Sequence, residues 1–406
     1  MTDNLLLEQY DPFDLVDPFP FFEKACKEAP VFYSPELGYW VITRYDDIRA
    51  IFKDLETFSS EITGKPLREP SPKVKQILKD GGFEVYSGMS GRMPPDHTRI
   101  RSFINKAFTS RRINVLEEPI RNRVIELVGQ FEEGKADLVR QLTYDLPALV
   151  VFMLLGVPDE DVQDVKEWAY SRTAITWGSN LTEEEQEYHA HNMVKYWQYC
   201  KQLIDLRFEE ERDDLPGDLV RIYKEGDKTI TRTEMASVCY TMLFAGHETT
   251  SNMLAEGLKT LLTYRESWER LVDDPGLIPG AIEEILRHCP SIFAWRRLVK
   301  KPTTLSGVDL PEGAHLMLVL GSANRDNHFD NGEIFDILRT NAKDHMSLGH
   351  GVKYCLGAPL ARLEGKVVLE ELTSRLPNMR LVENQTFEYQ PNTSFRGPQH
   401  VLVEWG

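Results

Sequence analysis

The sequence of 406 residues has little cysteine and no long hydrophobic run. Its five cysteines lie far apart and are odd in number, which excludes a disulfide framework and is typical of a reducing compartment. The longest apolar run, 149–157, is about half the length that a bilayer-spanning helix needs. The N-terminus also lacks the basic region and apolar core of a signal peptide. We therefore expect a cytoplasmic protein without a membrane partner.

A positive charge excess is missing as well. The net charge of −17 argues against nucleic acid as a partner and against binding to anionic membrane surfaces. No internal repeat, low-complexity tract or interdomain linker interrupts the chain. The hydrophobic content of 41% is ordinary for a globular protein. These bounds indicate a folded globular protein and leave its function open.

The strongest indication of a functional site lies in 347–364, which reads S-L-G-H-G-V-K-Y-C-L-G-A-P-L-A-R-L-E. Cys355 follows Gly349 and Gly351 and precedes an apolar run that predicts a helix. Glycines allow a tight loop and a close approach, and a helix N-terminus favours a thiolate. Such a thiolate suits a bulky metal cofactor, although a lone cysteine in an apolar stretch is more often an inert core residue. No second ligand falls at a zinc-pair spacing, and Tyr354 stands where a dinucleotide loop needs its third glycine.

A second motif lies in the middle of a predicted helix. Thr231 and Glu234 form a possible capping box, from which a helical pattern runs over 231–263. Its centre, 245–250, reads A-G-H-E-T-T. Glycine costs about 1 kcal/mol relative to alanine in a helix interior, and buried polar groups need partners. A glycine and polar residues in the interior of an apolar helix indicate a functional site. The alternative is a helix kink in which the threonine hydroxyls are hydrogen-bonded.

Two further pairs are weak when each is taken alone. Glu284 and Arg287 form an E-x-x-R pair, which by itself is as ordinary as any surface ion pair. His97 and Arg101 lie at i and i+4 of a predicted helix after two prolines, where the alternative is a solvated basic face.

The remaining patterns predict short elements along the chain. They comprise a hairpin of strands at 31–34 and 39–43, a helix at 45–52, a long loop region at 58–92, largely helical structure at 113–212, a surface loop at 213–226, and strands at 303–306 and 316–320.

Taken together, these stretches resemble the cytochrome P-450 family of heme-thiolate monooxygenases. Residues 347–364 are similar to its cysteine-ligand loop, F-G-x-G-x-H/R-x-C-x-G followed by A-x-L-A-R-x-E, and 245–250 to its oxygen-activation motif, A/G-G-x-D/E-T-T/S. Two positions depart from the pattern, since Leu348 replaces the usual Phe and Lys353 replaces the usual His or Arg. The resemblance spans nearly the whole chain. The C-terminal half is similar to heme domains of reductase-fused bacterial members, which leaves open whether the chain is stand-alone or an excised domain.

The resemblance implies a single domain over 1–406, mainly α-helical with small β-sheets. It implies heme b between the long distal helix, 231–263, and the cysteine-ligand loop with its proximal helix, 347–364. Cys355 would ligate the iron, and the implied heme contacts are His97, Arg101, Ala245, Gly246, Arg297, Leu348, Gly349, Lys353 and Gly357.

The resemblance also assigns roles around the distal helix. Dioxygen would be a substrate, with Glu248 as the acid and Thr249 as the alcohol of proton delivery, and Gly246 would leave room for dioxygen. Glu284 and Arg287 would form a buried structural ion pair with the downstream Arg339.

The substrate pocket is implied to lie under the 58–92 region and beside the closing β-hairpin that carries Phe395. Its candidate lining residues are Phe83, Val85, Leu243, Phe244, Ile292, Phe293, Ala294, Trp295 and Phe395. Because these are apolar and often aromatic, we expect a compact hydrophobic substrate, such as a small aromatic that is hydroxylated or O-dealkylated.

Electrons must come from outside, because the chain has no flavin-, nicotinamide- or iron–sulfur-binding motif. Five basic residues predict a docking face for an acidic ferredoxin or flavodoxin-like partner: Lys106, Arg111, Arg112, Lys353 and Lys366. Two alternatives are a peroxide-driven peroxygenase and a heme-thiolate sensor or carrier without turnover. The Glu248–Thr249 pair argues against both, since neither needs a proton relay.

Overall fold

The computed structural model describes residues 9–67, 69–83, 89–177 and 181–406. The α-helices of the described residues are α1 Phe19–Glu28, α2 Tyr45–Lys53, α3 Pro72–Asp80, α4 Asp96–Ala107, α5 Ser110–Asn114, α6 Glu117–Gly129, α7 Asp145–Leu155, α8 Val162–Trp177, α9 Glu183–Glu209, α10 Leu215–Lys224, α11 Arg232–Thr263, α12 Arg265–Asp273, α13 Ile278–His288, α14 Leu320–Ala323 and α15 Ala358–Arg375. The strands are β1 Val31–Ser34, β2 Tyr39–Ile42, β3 Phe58–Ser59, β4 Lys135–Asp137, β5 Ala294–Val299, β6 Thr303–Leu305, β7 Val308–Leu310, β8 His315–Val319, β9 Arg380–Leu381 and β10 Leu402–Glu404.

This inventory confirms the predicted class, which is mainly helical with small sheets. The predicted hairpin is present as β1 and β2, which pair antiparallel. Two loop predictions are wrong. The 213–226 stretch contains α10, which Asp214 caps by accepting a hydrogen bond from the Gly217 amide at 2.8 Å. The 58–92 region contains β3 and α3, and α3 starts at a Ser71 cap followed by Pro72.

One compact unit comprises the described residues up to Ser60, Glu117–Leu146 and Thr249–Gly406. Its main sheet has the strand order β1-β2-β8-β5-β3, in which β2 and β8 are parallel and the other neighbours antiparallel. Apolar side chains of this sheet bury with α2 in one cluster that includes Ile42, Ile48, Leu316, Leu318 and Phe329. Helix α15 packs against α6 and α13. This packing fixes the position of the chain segment just before α15.

The other compact unit comprises Glu61–Leu116 and Pro147–Glu248. Within it α9 packs against α3, α8 and α10, and α10 also packs against α4. The boundary between the two units falls within α11, after Glu248. No helix in the described part of the chain is long and apolar enough to cross a membrane.

Candidate active site

The loop before Cys355 is shaped by two glycines. Gly349 (φ 72°) and Gly351 (φ 68°) occupy the left-handed region that favours glycine. The amide of Cys355 donates a hydrogen bond to the carbonyl of Leu348 at 2.8 Å, which closes the loop. The tight loop predicted from the glycines is therefore present.

Cys355 is the exposed cysteine of the chain. All five cysteines belong to the described residues and none of them forms a disulfide; Cys200, Cys239 and Cys289 are buried and Cys26 is half-buried. Burial raises the pKa of Cys239 to about 12 and that of Cys289 to about 11, so both remain thiols. Cys355 instead is exposed and lies three residues before the start of α15. The donor chemistry and the open approach fit ligation of a bulky metal cofactor.

Hydrogen bonds anchor the start of this loop to the interior of the same unit. The Asn324 side chain accepts from the Met346 amide and donates to the Ser347 hydroxyl, both at 2.7 Å. The Ser347 hydroxyl in turn donates to the carbonyl of Leu286 in α13. The loop that carries the thiol is thereby tied to α13.

A salt bridge fixes α15 to the same helix. The Arg362 guanidinium contacts both oxygens of Glu283, at 2.5 and 2.9 Å, and donates to the Tyr354 hydroxyl at 3.2 Å. Although burial opposes it, Arg362 together with His345 holds the pKa of Glu283 at about 2. The carboxylate therefore stays charged across the physiological range, and the residue just before Cys355 is held in place.

Arg297 on β5 is a buried cation that lacks a matching anion. Its side chain lies 4.9 Å from the Phe52 ring centroid and donates to the Arg296 carbonyl at 2.8 Å. Its Nε has no hydrogen-bond partner, and no carboxylate of the described residues pairs with it. Burial lowers its pKa to about 10. A desolvated guanidinium of this kind fits an anionic group such as a heme propionate.

The other predicted propionate contacts lie apart from Arg297 in sequence. His97 is buried and Arg101 half-buried on α4, in the second unit, and their i, i+4 spacing places them on one face of that helix. Leu348 and Lys353 are half-buried beside the cysteine loop. Their roles toward heme stay predictions.

The predicted capping box of the distal helix is present. The Thr231 hydroxyl accepts from the Glu234 amide at 3.1 Å, and Glu234 accepts from the Thr231 amide at 2.9 Å. Helix α11 then runs to Thr263, as predicted. A side chain at Gly246 would place its Cβ 2.5 Å from Val151 on α7. Close helix packing is therefore a reason for this glycine that the sequence did not indicate.

Glu248 and Thr249 follow in the middle of α11. The Thr173 hydroxyl on α8 donates to Oε2 of Glu248 at 2.5 Å. Burial raises the pKa of Glu248 to about 7, against the lowering effect of the Thr173 hydrogen bond. This carboxyl therefore carries a proton for much of the time near neutrality, as a general acid requires. Thr249 is half-buried and Ala245 exposed.

The E-x-x-R pair forms a buried ionic cluster. Glu284 and Arg287 are fully buried and joined by two contacts of 2.7 Å. The Arg339 Nε lies 3.4 Å from the same carboxylate. Arg287 also donates to three backbone carbonyls, those of Asn324, Gly332 and Ile334. The cluster is structural and ties α13 to the segment that carries Asn324.

Comparison with known proteins decides the family. The sequence model of cytochrome P450 matches residues 39–274 and 277–387. The chain belongs to the cytochrome P450 family. It is therefore an oxidoreductase whose chemistry is that of a heme-dependent monooxygenase.

Three relatives illustrate the match. The structure of cytochrome P450 CREJ in complex with (4-ethylphenyl) dihydrogen phosphate has a TM-score of 0.94 and 45% identity, covering 98% of this chain and 99% of that one. An intact type IV self-sufficient cytochrome P450 monooxygenase gives a TM-score of 0.93 and 39% identity, with 98% of this chain and 52% of that chain covered. The mycinamicin IV hydroxylase/epoxidase of Micromonospora griseorubida is 32% identical, over 98% of this chain and 94% of its own length.

Of the described residues predicted to line the substrate pocket of this P450, three belong to the second unit. Phe83 lies edge-on to Tyr240 and Trp197, with ring centroids 5.8 and 6.5 Å apart. Phe244 stacks on Trp177 at 5.2 Å. Leu243 is buried on α11. Val85 lies outside the described residues.

The other five belong to the first unit. Ile292 forms a β-bridge with Phe395, next to a hydrogen bond from the Phe293 amide to the Ser394 carbonyl. The Phe293 ring packs in the core against Phe19 and Phe22, at 5.8 and 5.6 Å. We therefore leave Phe293 out of the proposed pocket wall. Ala294 is buried and Trp295 half-buried on β5.

The basic residues predicted to dock a redox partner of the P450 are largely neutralised. Arg112 contacts Asp213 and Asp218 at 2.6 and 2.7 Å. The remaining pairs are Lys106 with Asp227 and Lys366 with Glu117, at 2.6 and 2.7 Å respectively. Arg111 is exposed and forms no ion pair with any described residue. The electrostatic patch is thus weaker than the sequence suggested.

Thr173 is a residue beside Glu248 that no sequence pattern indicates. It lies 75 residues before Glu248 in an ordinary helical pattern, and only the packing of α8 beside α11 brings the two together. Asn324, which ties the start of the cysteine loop to α13 through Ser347, was not among the predicted site residues either.

Proposed function

We propose that this P450 is a cytoplasmic heme b monooxygenase that inserts one oxygen atom from dioxygen into a small hydrophobic, aromatic substrate. The observation that carries the proposal is the exposed Cys355 thiol in its glycine loop at the N-terminus of α15. A thiolate ligand favours cleavage of the O–O bond. The absence of disulfides among the five described cysteines supports the proposed compartment.

The residues that would hold heme b have the appropriate chemistry. Cys355 would ligate the iron, and Arg297, with its unpartnered Nε, would bind a propionate together with His97 and Arg101. Lys353 would add a point charge rather than a bidentate contact. Heme b, when bound, supplies the iron centre at which dioxygen is activated.

The chain itself supplies protons. Glu248, with its pKa of about 7, would release a proton from its carboxyl and regain one from solvent. Thr249, the next residue, would donate a hydrogen bond from its hydroxyl toward the oxygen that is to be protonated. The pair thus provides the acid and the donor that reductive oxygen activation needs.

The substrate class is inferred from the proposed pocket wall. Phe83, Phe244 and Phe395 offer aromatic rings, and Leu243 and Ile292 offer aliphatic surface. Such a lining would bind a compact aromatic molecule through apolar and ring–ring contacts. The position that is oxidised would then depend on which C–H bond the pocket holds close to the reacting centre.

An aryl phosphate is a second candidate substrate. The relative CREJ was solved with (4-ethylphenyl) dihydrogen phosphate. In this chain, the half-buried Arg172 donates to the Gly64 carbonyl at 3.0 Å and forms no ion pair with any described carboxylate, so it is available to a phosphate. Titration of the heme spin state with 4-ethylphenol and with its phosphate ester tests the two candidates. If Arg172→Ala lost binding of the phosphate ester but kept binding of 4-ethylphenol, the result would favour the aryl phosphate as the substrate.

Electrons would come from a separate acidic ferredoxin or flavodoxin-like protein. Exposed Arg111 remains as the docking candidate, because Lys106, Arg112 and Lys366 are paired with carboxylates. Arg111→Ala should slow reduction more strongly at low salt than at high salt, measured by stopped-flow. Equal rates in the variant and the wild type would refute docking at this residue.

Turnover assays test the reaction class. Product should form with a reductant system and dioxygen, and not when reductant is omitted. Product with peroxide alone at the same rate would identify a peroxygenase. Heme binding without product under any of these conditions would identify a sensor or carrier.

A further inference from the structure

The acid Glu248 has one hydrogen-bond partner among the described residues. The Thr173 hydroxyl reaches its Oε2 at 2.5 Å, and no described cation pairs with the carboxylate. Thr173 is itself buried. Because a glutamate side chain has three rotatable bonds, a single contact decides which rotamer it keeps.

The two helices that carry this contact are held by an aromatic stack. Trp177, one turn after Thr173 on α8, stacks on Phe244, one turn before Glu248 on α11. The ring centroids are 5.2 Å apart and the planes differ by 5°. The stack sets the spacing of the helices, so the Thr173 hydroxyl stays within hydrogen-bond distance of the carboxyl.

We propose that Thr173 is a positioning residue, which holds the carboxyl of Glu248 in the rotamer from which it delivers protons. The inference rests on the proposed role of Glu248 as the acid. With the Thr173 hydroxyl donating to Oε2, the acidic proton resides on Oε1, the oxygen left free to release it. Without the hydroxyl the carboxyl samples other rotamers. Proton delivery from Glu248 then becomes slower and less accurately directed.

The test compares Thr173→Val, which keeps the shape and removes the hydroxyl, with Thr173→Ser, which restores it. Thr176→Val, at a buried threonine on the same helix, is the matched control. All variants are studied as heme-loaded enzyme. The first readout is coupling, the product formed per reducing equivalent consumed. The second is the infrared carbonyl band of protonated Glu248, identified by its loss in Glu248→Gln.

In Thr173→Val, the carbonyl band should shift to higher frequency and coupling should fall about fivefold, the population change that one ordinary hydrogen bond controls. Thr173→Ser should restore both, and Thr176→Val should change neither. An unshifted band in Thr173→Val overturns the inference, and so does a shifted band with unchanged coupling. Failure of the proposed function is distinguishable, because it abolishes reductant-dependent product in the wild type as well.

Discussion

At the scale of single residues, burial shifts the pKa values of two ionisable groups, one in each compact unit, in opposite directions. It raises the pKa of the acid Glu248 to about 7 and lowers that of the base Arg297 to about 10. Both shifts have the same origin, since a low-polarity environment disfavours the charged form. The consequences differ. Glu248 keeps its proton up to near neutral pH, whereas Arg297 remains a cation that needs an anion.

Replacement of Glu248 by Gln should remove a pH dependence from both activity and stability. Product formation by the wild type should fall as pH rises through about 7, because the carboxyl loses its proton. The variant should be slower by about 100-fold and flat across this range. Steady-state turnover against pH, with Glu266→Gln on α12 as an exposed control, measures this. If the turnover of Glu248→Gln still fell as pH rose through about 7, Glu248 would not be the titrating acid.

The stability effect follows from linkage. The folded protein keeps the proton on Glu248 where the unfolded chain, with its ordinary pKa of 4.5, has lost it. The free energy of unfolding should therefore decrease as pH rises from 4.5 to 7 and level off above. Urea unfolding of Glu248→Gln should lack this contribution. Between pH 4.5 and 7, the free energy of unfolding of the variant should therefore rise relative to that of the wild type.

Replacement of Arg297 by Gln should weaken heme retention. The loss of a hydrogen bond to a charged group, about 2 kcal/mol, corresponds to roughly 30-fold faster heme release. Transfer of heme to an apo-globin acceptor measures the rate, with Lys301→Gln as an exposed control. The heme-free variant should be no less stable than the heme-free wild type, because a desolvated cation has been removed. Unchanged release would show that Arg297 does not contact the propionate.

At the scale of elements, local signals predicted those elements that depend on local chemistry. The Thr231–Glu234 box predicted the start of α11, and the glycines predicted the loop before Cys355. The Asp-, Gly- and Lys-rich composition of 213–226 predicts a loop rather than α10, although Asp214 followed by Pro216 is a helix-start signal. The contact of Thr173 with Glu248 and the core position of Phe293 depend on packing between distant segments. No local pattern indicates them.

We expect the ionic cluster of Glu284, Arg287 and Arg339 to stabilise the fold. Arg287→Ala leaves buried Glu284 with Arg339 as its remaining cation and takes the Arg287 donor from the Asn324 and Gly332 carbonyls, so the free energy of unfolding should fall by about 3–5 kcal/mol. Arg287→Lys should lose less, since it keeps the charge. Arg270→Ala on the surface of α12 should change stability by under about 0.5 kcal/mol. Equal urea midpoints for Arg287→Ala and Arg270→Ala would contradict a structural role for the cluster.

At the scale of the whole molecule, the sequence predicted the family through motifs spread over the chain rather than through composition. The family model and a fold match at a TM-score of 0.94 confirm it. Substrate and redox partner depend on surfaces and side-chain positions that vary within the family, and so remain proposals. Of the five basic residues predicted to dock a redox partner, Lys106, Arg112 and Lys366 form ion pairs with carboxylates of their own chain.

Ligation of heme iron by Cys355 can be tested with the absorption spectrum of the dithionite-reduced protein, recorded with and without carbon monoxide. Thiolate ligation by Cys355 predicts a strongly red-shifted Soret band, which Cys355→Ala should abolish while Cys289→Ala retains it. An unshifted, histidine-like band, or no bound heme in the wild type, would contradict ligation by Cys355 and the monooxygenase function that depends on it.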